Sequence, residues 1–219
     1  MREIEIYMLK KSGVSIEALY GLYQQSFQQW HEHQIVSPFI SKTFDEFREL
    51  VERAMVFVAL DVETQELLGM HCFYCYHDMH ALGFFLAISS KAKHQGIASR
   101  MLEHEIVLFR KHGYRFLKGN TLAAATWSVR WHRKNGYYIT GYTRNELNNY
   151  PSYQFRKQIA LDVRRHPGDV FWLPGVAPLT ACVCFVVTYI ATCVCKTREG
   201  KLNWLGRLAK RVAKSLQRC

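Results

Sequence analysis

The stretch Leu86-Ala-Ile-Ser-Ser-Lys-Ala-Lys-His-Gln-Gly-Ile-Ala-Ser-Arg-Met-Leu102 gathers the residue types from which an anion site is built. An apolar segment ends at Ile88, a short polar loop follows, and Lys93-His94-Gln95-Gly96-Ile97-Ala98 opens a helical pattern. Gly96 lets the backbone approach a ligand closely, and the small Ala98 and Ser99 keep the first turn uncrowded. Several N–H groups converge at the positive end of the helix, and Lys93 adds a formal charge. A glycine between strand and helix also serves ordinary packing, so the stretch by itself states a chemistry and not an activity. The second chemistry-bearing string is His71-Cys72-x-x-Cys75-x-His77-x-x-His80. Its residue types suit a metal, but on a strand Cys72 points away from His71, Cys75 and His77, while a tetrahedral site needs convergent ligands. The expectation is therefore no metal, with the cysteines acting as small apolar side chains.

The elements that must position these residues follow from periodicity. Residues 2–10 suggest a strand. Ser15 can cap a helix to about Trp30, with Ile16, Leu19, Leu22, Tyr23 and Phe27 on one face. Thr43 to Arg53 reads as a helix, with Glu46 three residues after Thr43 in capping-box spacing. Strands follow at 55–60, 67–76 and 83–88. After them come a helix over 98–112, a strand over 114–122, a helix over 124–135 and strands at 137–143 and 153–161. The order βααβββαβαββ describes an α/β (α+β) single domain with a mixed central sheet flanked by helices.

On the Lys93-x-x-Gly96-x-Ala98 motif the chain resembles the GNAT acetyltransferase superfamily, whose signature is [Gln/Arg]-x-x-Gly-x-[Gly/Ala] after a strand. Lysine in the first slot departs from the pattern but keeps a cation. Ser128-Val-Arg-Trp-His-Arg-Lys-Asn-Gly-Tyr137 resembles the family's second motif, a helix ending in polar residues and Gly-[Phe/Tyr]. The two glycines stand 40 residues apart, which accommodates a helix, a strand and a helix. The resemblance implies acetyl-CoA as co-substrate, held by Leu86, Ala87, Ile88, Lys93, His94, Gln95, Gly96, Ile97, Ala98 and Ser99. An amine would attack the thioester directly, with strand 83–88 splayed from its neighbour and amides near Leu86–Ile88 polarising the carbonyl. His132 falls where many relatives carry a tyrosine acid. Its imidazolium, with an ordinary pKa of about 6.5, could protonate the leaving thiolate, or the ring could simply line the channel. Tyr137 and Tyr138 are substitutes for it, one of them core. For the base the candidates are Asp78, His77 or His80, in a turn expected at the mouth of the substrate cleft, against the reading of a plain surface turn.

The resemblance puts the acceptor beside Tyr23, Phe27, Trp30, His31, His33, Phe39 and the Tyr150–Tyr153 segment, with Tyr153 as the residue from the late strands. This set is aromatic and poor in carboxylates. It fits a sugar amine, an amino acid or a membrane-linked amine better than a polyamine or peptide lysine. The 219 residues carry +11, but residues 171–219 hold 8 basic and 1 acidic residue, so most of the excess belongs to the end of the chain. That speaks against a nucleic-acid-binding core. Seven cysteines, no disulfide framework and a first segment that alternates like a strand point to a reducing compartment. Residues 170–195 form a run of 26 without a charge, and 201–218 place Leu202, Leu205, Leu208, Val212 and Leu216 opposite a basic face. These features predict a catalytic domain over 1–165 and an appendage over 166–219. The appendage would associate with a membrane from the cytoplasmic side, its apolar segment re-entrant or shallow, with a true transmembrane span or a helix packed on the domain or a partner subunit as the other readings. A homodimer is compatible with this reading. The alternatives are a long-chain acyltransferase of lipid or envelope synthesis and a tethered, non-catalytic module of the same fold.

Overall fold

A computed structural model of the chain describes residues 3–35, 37–77, 79–144 and 150–160. The elements are β1 (Ile4–Met8), α1 (Ile16–Glu32), α2 (Phe44–Glu52), β2 (Met55–Asp61), β3 (Leu67–Cys75), β4 (His80–Ile88), α3 (Ile97–Lys111), β5 (Phe116–Leu122), α4 (Thr126–Lys134), β6 (Tyr138–Thr143) and β7 (Ser152–Gln158). Their order is the one periodicity predicts, apart from short 3-10 turns at Leu9–Lys11 and Ser90–Ala92. The expected apolar segment 170–195 and basic helix 201–218 lie outside the described residues. Among the described residues no helix is long and apolar enough to cross a membrane.

Local chemistry sets the helix starts. The Ser15 hydroxyl accepts from Ala18 N at 3.2 Å, and the Thr43 hydroxyl accepts from Glu46 N at 3.3 Å. Glu46 in return accepts from Thr43 N at 2.9 Å, which completes the capping box. Each such cap stabilises its helix by about 1 kcal/mol.

The seven strands form one sheet in the order β1-β2-β3-β4-β5-β7-β6, antiparallel throughout except for the parallel β4–β5 pair. Side-chain alternation gives the sheet two apolar faces. On one, Phe57, Phe73 and Leu117 pack with Met101 and Phe109 of α3. On the other, Val58, Met70 and Cys72 pack with Leu19 and Tyr23 of α1 and Phe47 of α2. A smaller cluster joins Trp30, Ile35 and Ile40 to Leu122 and Ala125 at the end of β5. A large side chain buried this fully contributes on the order of 2 kcal/mol.

Strand β4 starts at His80, three residues before the Gly83 expected from the sequence. The cause is the tight turn that precedes it, where Met79 takes φ 61° and Tyr76 N donates to the His80 carbonyl at 3.0 Å.

Candidate active site

Two neighbouring strands part company at the centre of the sheet. β4 and β5 pair from His80↔Phe116 to Gly83↔Gly119 and no further. Beyond that point β4 continues to Ile88 beside β3, and β5 continues to Leu122 beside β7. A wedge-shaped gap therefore opens above the Gly83/Gly119 pair. A bulge accompanies it: Met70 pairs with Ala87 but Cys72 with Phe84, so three steps on β4 face two on β3. Phe85 takes φ 49° there, and both Phe84 and Phe85 turn to the α1/α2 core, which breaks the alternation.

Ladder alternation decides which amides face the gap. Ser89 N donates to the Leu68 carbonyl at 2.9 Å, so Ile88 points its peptide groups the other way. Its carbonyl accepts from the Ser26 hydroxyl at 3.1 Å, across the gap edge. Ala87 instead pairs with Met70 and its side chain is buried, while Leu86 lies in the bulge with no register partner on β3. Helix α1 bridges the parted ends from one face: Ser26 reaches β4, and Trp30 packs in the cluster of Leu122 on β5.

The loop that follows is built for an anion. His94 and Gly96 take left-handed φ values of 64° and 76°, which coil successive N–H groups inward. Gly96 is the N-cap of α3, no side chain caps that helix, and its first turn holds no acidic residue. The side of Gly96 where a Cβ would stand has nothing within 4 Å. Ile97 is buried in the core and anchors the helix start, while His94 and Gln95 are exposed and Lys93, Ala98 and Ser99 half-buried. Gln95 braces the loop by donating to the Lys91 carbonyl at 2.9 Å. These features fit a pyrophosphate.

The second motif resolves into a helix stop. Gly136 takes φ 76°, its N–H donates to the Arg133 carbonyl at 3.1 Å, and Tyr137 N donates to the His132 carbonyl at 3.0 Å. This is the Schellman pattern, which buries the residue after the glycine. Tyr137 is accordingly a core residue with its ring against Trp131 and His132. Burial pushes its phenol well above the ordinary range, and Glu105 adds to the shift. That environment keeps the hydroxyl protonated.

His132 stacks on Phe155 with ring centres 4.5 Å apart and donates from Nδ1 to the Ser128 carbonyl at 2.8 Å. The free Nε2 lies 3.0 Å from where a Cβ on Gly119 would sit. Burial, opposed by the Ser128 bond and assisted by His71, lowers its pKa to about 4. Of the two readings of this position, an imidazolium acid and a ring lining the channel, the first is disfavoured, because at neutral pH the ring is neutral and its Nε2 can only accept. His71, read from sequence only as a metal candidate, is held by a buried partner. Its Nδ1 donates to both Glu105 oxygens, at 3.1 and 3.0 Å, and its Nε2 lies 2.8 Å from a Cβ placed on Gly83. Cys72 points to the opposite face, as alternation requires. The sequence does carry a signal for Glu105: it is the lone carboxylate on the apolar stripe Ile97, Met101, Glu105, Phe109.

The other expected residues divide. His80 starts β4 and stacks on Tyr76 at 4.6 Å; it lies at the zipped end of the β4–β5 pair, as does the exposed His77 before it. This turn is not at the mouth of the gap, because parallel pairing closes the seam from His80 to Gly83. Asp78 lies outside the described residues. Tyr23 is buried, its hydroxyl donating to the Phe39 carbonyl at 2.9 Å and accepting from Lys42 N at 3.0 Å, and burial pushes its pKa up to about 12. Phe27 and Trp30 meet at 5.6 Å and Trp30 meets Trp127 at 5.7 Å, an aromatic wall the sequence reading gave without Trp127. His31 is exposed and donates to the Ile40 carbonyl at 3.2 Å. Tyr153 packs with the α3/α4 face and does not join the α1 residues.

Comparison with known proteins agrees with this geometry. The model of the acetyltransferase (GNAT) family matches residues 16–137. None of the curated proteins matches the chain. Among solved structures, the ribosomal-protein-S18-alanine N-acetyltransferase of Escherichia coli superposes with a TM-score of 0.58 at 16% identity, over 75% of this chain and 99% of that one. Ard1 of Thermoplasma volcanium gives 0.58 at 14% identity, over 72% and 98%. A GNAT family acetyltransferase of Elizabethkingia anophelis with acetyl-CoA bound gives 0.54 at 17% identity, over 71% and 97%. At these identities the likeness is one of fold.

Proposed function

The chain belongs to the acetyltransferase (GNAT) family, and from that premise we propose that it is an acetyl-CoA-dependent N-acetyltransferase acting on a primary amine. The observation that carries the reading is the parting of β4 from β5 next to an uncapped α3 N-terminus. When bound, acetyl-CoA supplies an activated acyl group as a thioester. The amides of the loop at Gly96–Ala98 would hold its pyrophosphate, with Lys93 adding positive charge. Leu86 and Ile88 would pair with the pantetheine arm in the gap, and the amide of the bulge would stabilise charge gathering on the acyl oxygen. His132, in the position the family fills with an acid, presents an accepting Nε2 to the seam instead of a donating hydroxyl.

The acceptor in this reading is a sugar amine, an amino acid or a membrane-linked amine. The aromatic wall of Phe27, Trp30 and Trp127 supports it, since a surface of aromatic rings suits a flat or apolar body better than it suits a polycation. The basic, apolar tail 170–218 would hold the domain at the cytoplasmic face of a membrane, near such an acceptor.

The test is thermal unfolding of the full chain with CoA, acetyl-CoA and a long-chain acyl-CoA. A ligand of the native state raises stability by RT ln(1 + [L]/Kd), so the melting shifts rank the three. Acetyl-CoA and CoA are expected to shift the melt, and Gly96→Glu to remove the shift. No shift with any of the three would overturn the reading, and a shift confined to the long-chain ligand would replace acetyl by a longer acyl group.

A further inference from the structure

Beneath the apex of the gap lies a polar cluster that the family resemblance did not supply. Glu105 has no exposed surface and His71 is 5% exposed. A buried carboxylate is tolerated only with a strong partner, and here both of its oxygens accept from His71 Nδ1. That bond fixes the tautomer and directs Nε2 over Gly83. Gly83 is the last β4 residue paired with β5, and its partner Gly119 lies under Nε2 of His132. His132 Nδ1 is likewise tied, to the Ser128 carbonyl. Two imidazoles thus meet the same pair of glycines with their free nitrogens, at the point where the strands separate. His71 also stands opposite the Phe85–Leu86 bulge. The other titratable groups here are Tyr137 and Cys72, both kept neutral by burial and by Glu105, and Lys157, whose ammonium lies 5.9 Å from the Tyr137 ring.

We propose that the Glu105–His71 pair is the proton store of the acyl transfer, with His71 Nε2 exchanging protons at the apex of the gap and His132 Nε2 facing it across the Gly83/Gly119 seam. The inference rests on the proposed acetyl-CoA reading. In the transfer the amine nitrogen bonds to the acyl carbon and the carbon–sulfur bond breaks. The nitrogen must lose a proton and the departing sulfur must gain one. His71 takes the nitrogen's proton on its free Nε2 and passes it to the sulfur, so the pair ends as it began. Glu105 is a positioning residue: it holds the ring and stabilises the imidazolium, and it touches no reacting atom.

The experiment is long-range 1H–15N NMR of the full chain titrated with CoA, following the imidazole nitrogens and the Gly96 amide. CoA is expected to move the Gly96 amide and the Nε2 signals of both His71 and His132, while exposed His77 and His112 stay in place. In Glu105→Gln, which preserves shape and an acceptor, the Nδ1 proton of His71 is expected upfield, because a charge-assisted bond becomes a neutral one. A Gly96 amide that moves while His71 Nε2 does not would overturn the proton store and leave the acetyl-CoA reading standing. A Gly96 amide that never moves would overturn both.

Discussion

Gly96 and Gly136 have the same φ, 76°, and both stand in motifs expected to mark the ligand site, yet they face opposite circumstances. A Cβ on Gly96 would meet nothing within 4 Å, and the amides beyond it have no side-chain cap. A Cβ on Gly136 would stand 2.9 Å from Lys157 Nζ, and that ammonium donates to the Asn135 carbonyl at 2.6 Å. The left-handed turn is required in both places, at a helix start in one and a helix end in the other. What differs is what the turn looks at. Gly96 looks into the open space where a phosphate would lie, and Gly136 looks into a clasp that closes the α4–β6 corner. The first is a binding glycine and the second a folding glycine.

The sharpest way to break that distinction is Gly96→Glu. A carboxylate in the open space would repel a pyrophosphate and fill its seat. CoA affinity is expected to fall by about 100-fold or more, which is about 2.7 kcal/mol. The ligand-free protein should lose only the strain of a left-handed non-glycine residue, roughly 1–2 kcal/mol. Isothermal titration with CoA and a melt without it separate the two effects. Unchanged affinity would put the ligand elsewhere.

Gly136→Ala should do the reverse. The strained φ and the displaced Lys157 together predict a loss of about 1–3 kcal/mol. For a protein of this size that lowers Tm by roughly 2–4 °C per kcal/mol. CoA affinity measured well below the melt should stay within about twofold. A variant that melts normally but loses CoA would make Gly136 a second binding glycine.

The same contrast explains what the sequence made legible. Helix starts and strand order are written in neighbouring residues, as in Ser15 and the Thr43/Glu46 box, and the structure follows them. The Lys93–Ala98 loop is equally local. The bulge at Phe85 is not, because it exists only as a mismatch between β3 and β4, and neither strand shows it alone. The His71–Glu105 bond joins residues 34 apart, and its only trace in sequence is one carboxylate on an apolar stripe. Tyr137 carried a mixed signal: the Gly-Tyr pair is a family mark, but the helix stop it forms buries the ring.

His132 belongs to both regions and gives the smallest effect. It sits one turn before Gly136 on α4, and its Nε2 reaches the seam below the gap. Its folded pKa is lowered to about 4, chiefly by burial, against an unfolded value of about 6.5. Between those values the unfolded chain binds a proton that the native protein does not, so stability falls as the medium is acidified. The contribution is complete above about pH 6.5 and is lost progressively toward about pH 4. His132→Gln removes the titrating group, so its melting temperature should change less over that window than that of the wild type, even if it starts lower at neutral pH from lost stacking on Phe155. Equal slopes would mean that His132 is solvated in the native protein and can carry a proton, which would return it to the acid's role that its place in the family pattern implies. A flatter slope in the variant means that burial keeps the His132 ring neutral down to about pH 4, so that at neutral pH its Nε2 can only accept at the seam.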